Sequence, residues 1–550
     1  MTHTDNNAVK VLVARRILTM NPRQPVATHV AIRDGKILSV GTLDDIRRWT
    51  DAEPDTSFVD KVLMPGLVEG HSHLMEGAMW SAVYIGYYER RGPDGTRWPA
   101  LQSLEAVIER LREAEGKLDD ANAPLLAWGF DPIFFGSERL TVSQLDRVSA
   151  TRPIAILHAS VHLMNVNSPM LALAGIDEHT DVDGIVRDEN GKLTGELQEF
   201  AAMFPVYRVI GAKLSLSASD NPDAIRDFGK VAQLAGVTTA TDLLNDLSDK
   251  GMRNLVEVTR DARFPIRLVP AFGPQRNPEG GPSRVLEAIK LNSDKLRFGP
   301  VKFIVDGSIQ GFTARLRWPG YVNGRPNGLW LIPPAQFVDT FLPFHLAGLQ
   351  LHIHTNGDEA TELVLDAIET ILTRHPRPHH RHTLQHCQMA DRRQLERAAG
   401  LGMCVNFFSN HIYYWGDAHY AQTMGADRAN RMNAAATADE LGITFGLHSD
   451  APITQLNPLF TAWCAVQRQT ASGRILGEAE RLSVPVALNA ITLGAARTIG
   501  MDDVIGSIEV GKFADFAVLD EDPNEVPAER LGQLRVWGTI LGGRAYRAPA

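Results

Sequence analysis

Eight short apolar runs, each followed by enough chain to form a helix, limit most sharply what this sequence can fold into. They lie at 63–68, 237–243, 266–272, 301–305, 349–354, 382–386, 403–408 and 443–447. Strand followed by helix, repeated, is the pattern of a parallel sheet, and eight such units close a βα barrel. The expected fold class is α/β, a distorted TIM (β/α)8 barrel. The spacing breaks once: the gap from 68 to 237 is far too long for one helix, which predicts an insertion at about 75–219 covering the barrel mouth. Residues 103–116 and 221–235 carry helical periodicity, and Gly191-Lys192-Leu193-Thr194-Gly195 reads as a turn between strands.

The chain ends follow another pattern. Residues 11–13 and 27–32, the Asp34-Gly35 turn and residues 36–41 read as antiparallel strands with tight turns, and 506–512, 513–519 and 536–543 do the same. Together they predict a small composite β-sandwich from 1–62 and 500–550, with the barrel at 63–499. A chain of 550 residues with 44% hydrophobic content has room for both units.

The formal charge of -10, with acids and bases interspersed, offers no basic stripe for nucleic acid or an anionic membrane. A small-molecule substrate is the expected partner. Cys387, Cys404 and Cys464 are too few and scattered for a disulfide framework or a thiolate zinc cluster. The start, Met1-Thr2-His3-Thr4-Asp5-Asn6-Asn7, lacks the basic and apolar character of a secretory signal, and no stretch has eighteen uninterrupted apolar residues. A cytoplasmic location is expected, and a homodimer, since barrels of this size often pair.

Residues able to bind metal gather at the C-terminal ends of the predicted strands, where barrel enzymes keep their chemistry. His71 and His73 follow the first strand two positions apart, and alternate strand positions share a face, so two imidazoles can grip one ion. A bare His-x-His is common on surfaces, so other strands must supply partners. Lys302 lies in strand four, His354 ends strand five, His386 ends strand six, and Asp450 follows strand eight. The residues alone leave choices open. His352 shares parity with His354; His379, His380 and His382 compete with His386 from a polar turn; His448 either orients Asp450 or is structural. Lys302 by itself reads as a strand-end lysine paired with Asp306.

The order His-x-His, Lys, His, His, Asp on successive strands resembles the amidohydrolase superfamily. Pro65-Gly66-Leu67-Val68, Lys302 with Asp306-Gly307-Ser308, His354 with Gly357-Asp358, and Ser449-Asp450-Ala451-Pro452 resemble the branch that includes N-substituted formamide deformylases. Residues 506–515 resemble the closing β-sandwich segment of these enzymes. The resemblance implies that Lys302, carbamylated by carbon dioxide, bridges two divalent ions. His71, His73 and Asp450 would hold the first ion, and His354 and His386 the second. Zinc suits this ligand set best, with manganese, iron or nickel as alternatives. The implied reaction is hydrolysis of a carbon–nitrogen bond in an amide, formamide or carbamate by a metal-bridging hydroxide, with Asp450 as general acid and base. Cyclic amidase, esterase, or ring deaminase or dehalogenase chemistry is the alternative on the same centre. A non-catalytic binding or regulatory protein on this scaffold is the alternative of another class.

Substrate contacts are sought in three places. His162, ahead of Asn167-Ser168, resembles a segment that lines the pocket in this branch, although this chain has Val161 where the family carries glycine; a buried, hydrogen-bonded histidine is the plainer reading. The aromatic stretch 406–417 offers His411 and Trp415 as an apolar wall. Asp306 and Arg315, in the strand-four loop, are substrate or metal-supporting groups, or a surface salt bridge.

Overall fold

The computed structural model describes residues 8–549 except 121, 137, 215 and 216, with the backbone alone at 212 and 213. The polar start at 1–7 lies outside the described residues, as do 121, 137, 215 and 216 of the insertion. Eight parallel strands stand side by side in chain order: β1 (Leu67–Glu69), β2 (Val237–Asn245), β3 (Arg267–Phe272), β4 (Val301–Ile304), β5 (Leu351–Thr355), β6 (Thr383–His386), β7 (Cys404–Phe407) and β8 (Phe445–Leu447). Their interiors are buried on both faces, which is why they read as unbroken apolar runs rather than alternating ones. Phe272, Phe303, Ile353, Leu384, Val405 and Leu447 belong to one large core shared with the surrounding helices.

The ring is nearly closed. Where β8 meets β1, the join rests on a bridge between Ser72 and Ala451, on His73 N–H donating to Ala451 O at 2.8 Å, and on Glu69. The buried Glu69 carboxylate accepts from Ser449 N–H at 3.1 Å and Ser449 Oγ–H at 2.9 Å.

The expected strand at 63–68 is two strands. Pro54–Pro65 belongs to the terminal sheet and β1 begins at Leu67. Gly66 is the crossing point: its N–H donates to Asp515 O, and a Cβ there would lie 2.0 Å from Thr238 Oγ1. The other seven strands stand where expected, with ends shifted by two residues at most.

The two chain ends share one seven-stranded sheet, ordered Arg544–Arg547, Val536–Leu541, Phe516–Leu519, Pro54–Pro65, Lys10–Leu18, Val26–Arg33, Lys36–Gly41. It curls into a sandwich because residues 512–514 return to its far edge, with Ile37 N–H donating to Lys512 O and Ala514 N–H to Gly35 O. Leu12, Val30, Phe58, Phe516 and Ile540 fill the space between. A buried ion pair, Arg267 to Asp515 at 2.7 Å, ties this unit to β3.

The insertion contains a six-stranded sheet that the sequence reading did not foresee. Its order is Ile185–Arg187, Leu193–Gln198, Leu163–Val166, Ile154–His158, Leu125–Phe130, Val83–Tyr84. Only a turn at 191–195 was visible; the turn that joins the first two of these strands is 188–192, and Leu193, Thr194 and Gly195 already belong to the second strand. The helices expected at 103–116 and 221–235 form as Leu104–Glu115 and Pro222–Leu234. The second begins with Asn221 capping Asp223 N–H and Pro222 in the first turn, and buries Ala224, Ile225, Phe228, Val231 and Ala232 along one stripe. Among the described residues, no helix is long and apolar enough to cross a membrane.

Candidate metal centre and active site

The ends of β1, β4, β5, β6 and the turn after β8 converge on a cavity of about 270 Å³. His71, His73, Lys302, His354, His386 and Asp450 all line it. A larger open cleft of about 750 Å³, lined by Arg377, His380, Arg381 and Asp502, contains none of these six side chains.

Asp450 Oδ1 lies 3.2 Å from Nε2 of His71 and 3.2 Å from Nε2 of His73, and accepts no hydrogen bond from the described residues. The protonation of His71 can be traced. Gln385 Oε1 can only accept, so His71 Nδ1 at 2.8 Å carries the proton and donates it. Asn406 Nδ2 donates to the same oxygen, while Gln385 Nε2 donates to His352 Nδ1 at 2.7 Å. His71 Nε2 therefore turns a lone pair toward a carboxylate oxygen, two acceptors facing each other. A shared cation resolves that conflict, and 3.2 Å suits two ligands each held about 2.0–2.2 Å from one ion. Burial, then the charge of Lys302, holds His71 well below the ordinary histidine range, so it stays neutral and able to ligate. Burial alone would raise Asp450, but the close approach and charge of His73, with His448 and Lys302, lower it.

The other half of the site is built around Lys302, which is 1% exposed. Its Nζ has no hydrogen-bond partner among the described residues, and burial pulls its pKa down to about 7. A buried amine without a partner, easily deprotonated, fits a group that gains an anionic cap and then binds metal. Neighbouring strand registers put Lys302 beside His352 and Ile304 beside His354. His354 is drawn down to about 3 by burial and then by Lys302; its Nε2 is 3.2 Å from Gly307 O and 3.1 Å from Asn356 Nδ2. The His354 and His386 rings meet edge to face at 4.4 Å, and His386 Nδ1 is 3.8 Å from Asp450 Oδ2. Both His386 (φ 68°) and Asp450 (φ 53°) sit in the left-handed region, a strained backbone of the sort that clusters at functional sites.

His448 lies beneath these groups, fully buried, stacked on His71 at 4.6 Å and on Phe408 at 4.9 Å. Its nitrogens approach those of His71 and His386 closely enough to form a second three-donor group beside His71, His73 and Asp450.

The remaining sequence candidates divide. His162 and His411 line the cavity. His411 leans on His419, whose Nε2 is 3.0 Å from its Nδ1. Trp415 is 2% exposed and packs behind His411, ring centres 4.4 Å apart, outside the cavity wall. Asp306 reaches the cavity but is a structural knot: its carboxylate accepts N–H groups of Arg315, Asn356 and Gly357 at 2.9–3.0 Å, and burial pushes it up to about 7. Arg315 points elsewhere, forking onto Glu359, donating to Gly328 O at 2.8 Å and covering the Trp330 ring.

Gln385, Glu69 and Glu199 escaped the sequence reading. A polar residue inside a buried strand was a signal for the first two. Glu199 gave none, because its partner His162 is 37 residues away across the insertion sheet.

Fold and site together define a metal-dependent hydrolase. The sequence pattern of the amidohydrolase family matches residues 59–546, and the chain belongs to that family. It is 27% identical over 542 residues to a putative amidohydrolase, YtcJ, of Bacillus subtilis, covering 96% of this chain and 97% of that one. It is 26% identical over 561 residues to the N-substituted formamide deformylase of Arthrobacter pascens, covering 97% of each. Its fold matches that of an uncharacterized metal-dependent hydrolase from Pyrococcus horikoshii with a TM-score of 0.73, at 22% identity, over 95% of this chain and 99% of the other.

Proposed function

We propose that this chain hydrolyses the carbon–nitrogen bond of a small N-acyl compound, an amide, formamide or carbamate. The observation that carries the reading is Asp450 Oδ1, unpartnered and 3.2 Å from two imidazole nitrogens at the edge of a ligand-sized cavity. The formamide deformylase relative supports the choice of bond. In this reading His71, His73 and Asp450 hold one divalent ion, and Lys302 as its carbamate, with His354 and His386, holds a second; imidazole and carboxylate donors favour zinc. Ions bound there supply Lewis acidity, acidifying water and polarising a carbonyl. Asp450 accepts the proton of the attacking water as the carbon–oxygen bond forms, then returns it to nitrogen as the carbon–nitrogen bond breaks. Its lowered pKa keeps it ionised before the attack.

The test is a panel of N-formyl, N-acyl and carbamate compounds offered to metal-replete protein, with products identified. An amine plus an acid supports the reading, whereas ammonia with an intact ring replaces it with ring deamination. Asp450→Asn is expected to lower kcat by about 100-fold to 10,000-fold. Elemental analysis is expected to find two ions per chain, and Lys302→Ala to lose at least one; full occupancy in that variant excludes the bridging lysine.

A further inference from the structure

The insertion brings its own charged pair to the cavity. His162 Nδ1–H donates to Glu199 Oε2 at 3.0 Å, and both residues line the same wall as Ser160, Val161 and Phe200. The pairing follows from the strand register: Leu163 lies opposite Gln198, so the residues just beyond, His162 and Glu199, face each other, and Glu199 N–H donates to His162 O at 2.8 Å. Their side chains remain about half exposed, at 43% and 50%, although the surroundings are enclosed, so they open onto the cavity rather than pack within the insertion core.

The backbone is strained to hold them there. Val161 has φ 58° and Glu199 φ 64°, both in the left-handed region, which costs a β-branched residue most. Glu199 is the first residue of the helix Glu199–Ile210, whose N-cap, Gln198, makes no side-chain cap bond. The turn into that helix aims a carboxylate at the cavity instead of ending in an ordinary cap. Burial works against a charged His162, but the hydrogen bond and charge of Glu199, followed by the charge of Asp450, raise its pKa. The pair therefore stands within the field of the candidate ligands.

We propose that Glu199 is a positioning residue that holds His162 by Nδ1, leaving Nε2 to hydrogen-bond a polar group of the substrate. This rests on the hydrolase reading above and adds a polar anchor on the wall that the insertion provides. Such an anchor acts on bound substrate before chemistry, so it belongs in KM rather than kcat.

The experiment measures kcat and KM for Glu199→Gln, Glu199→Asp, His162→Gln and the Glu199→Gln/His162→Gln double variant, using the fastest substrate of the panel. Metal content and melting temperature are recorded alongside. Glu199→Gln and His162→Gln are each expected to raise KM by about 10-fold to 100-fold, with kcat changed by less than about 3-fold. Glu199→Asp should recover part of the loss, and the double variant should be no worse than either single one. An unchanged KM in Glu199→Gln, additive losses in the double variant, or a fall in kcat at constant KM overturns the proposal while leaving the hydrolase reading intact. A metal-replete wild type that hydrolyses nothing in the panel overturns both.

Discussion

Gln385 fixes the tautomer of His71 from a distance that no substrate reaches. With its Oε1 taken by His71 Nδ1–H and Asn406, and its Nε2 given to His352, this one side chain sets the protonation of two histidines in the barrel interior. Replacing it with methionine, similar in size but without a hydrogen-bonding amide, frees His71 to protonate Nε2 or rotate. Gln385→Met is expected to weaken metal binding by about 10-fold to 100-fold, read by competition with a chelator while circular dichroism stays unchanged. Val161 makes a complementary point. Its φ of 58° is a conformation that glycine adopts without cost and that strains a β-branched residue.

At the scale of elements, close approach decides more than composition does. The helix Met75–Met79, directly after the His-x-His segment, lies so near Pro222–Leu234 that a Cβ on Gly77 would be 1.8 Å from Ala224 O. Backbone atoms cannot give way as a flexible side chain can, so Gly77→Ala is expected to cost about 1–3 kcal/mol, measured as a lower denaturation midpoint. What was legible in the sequence follows the same logic. Seven barrel strands could be read because strands buried on both faces are continuous apolar runs, and the cavity histidines because they end or follow such runs. The strand at 63–68 was misread because Pro65-Gly66 resembles the entrance to a strand, when it is the point where chain leaves one sheet for another. The insertion sheet was largely hidden because one strand leaves chain order: Leu163–Val166 pairs with Leu193–Gln198, and Ile185–Arg187 lies beyond it at the edge. Pairing of that kind, like the meeting of His162 with Glu199, is set by tertiary register that no local pattern records.

Across the whole molecule, three units share one task. The terminal sheet braces the barrel through Arg267 and Asp515, and the insertion walls the cavity. At the join between β8 and β1, a single bridge and the Glu69–Ser449 contacts stand in for a full ladder. Three side chains able to share one ion straddle that join, His71 and His73 on one side and Asp450 on the other. Any ion they share is thus a fastener for the ring as well as a reagent. Chelation is expected to speed hydrogen exchange at the amides of His73 and Ser449, while amides in the β5–β6 ladder keep their protection; equal exchange with and without metal would count against it. An ion held at this join would tie the rigidity of the rim to the capacity for chemistry, so that the two would rise and fall together.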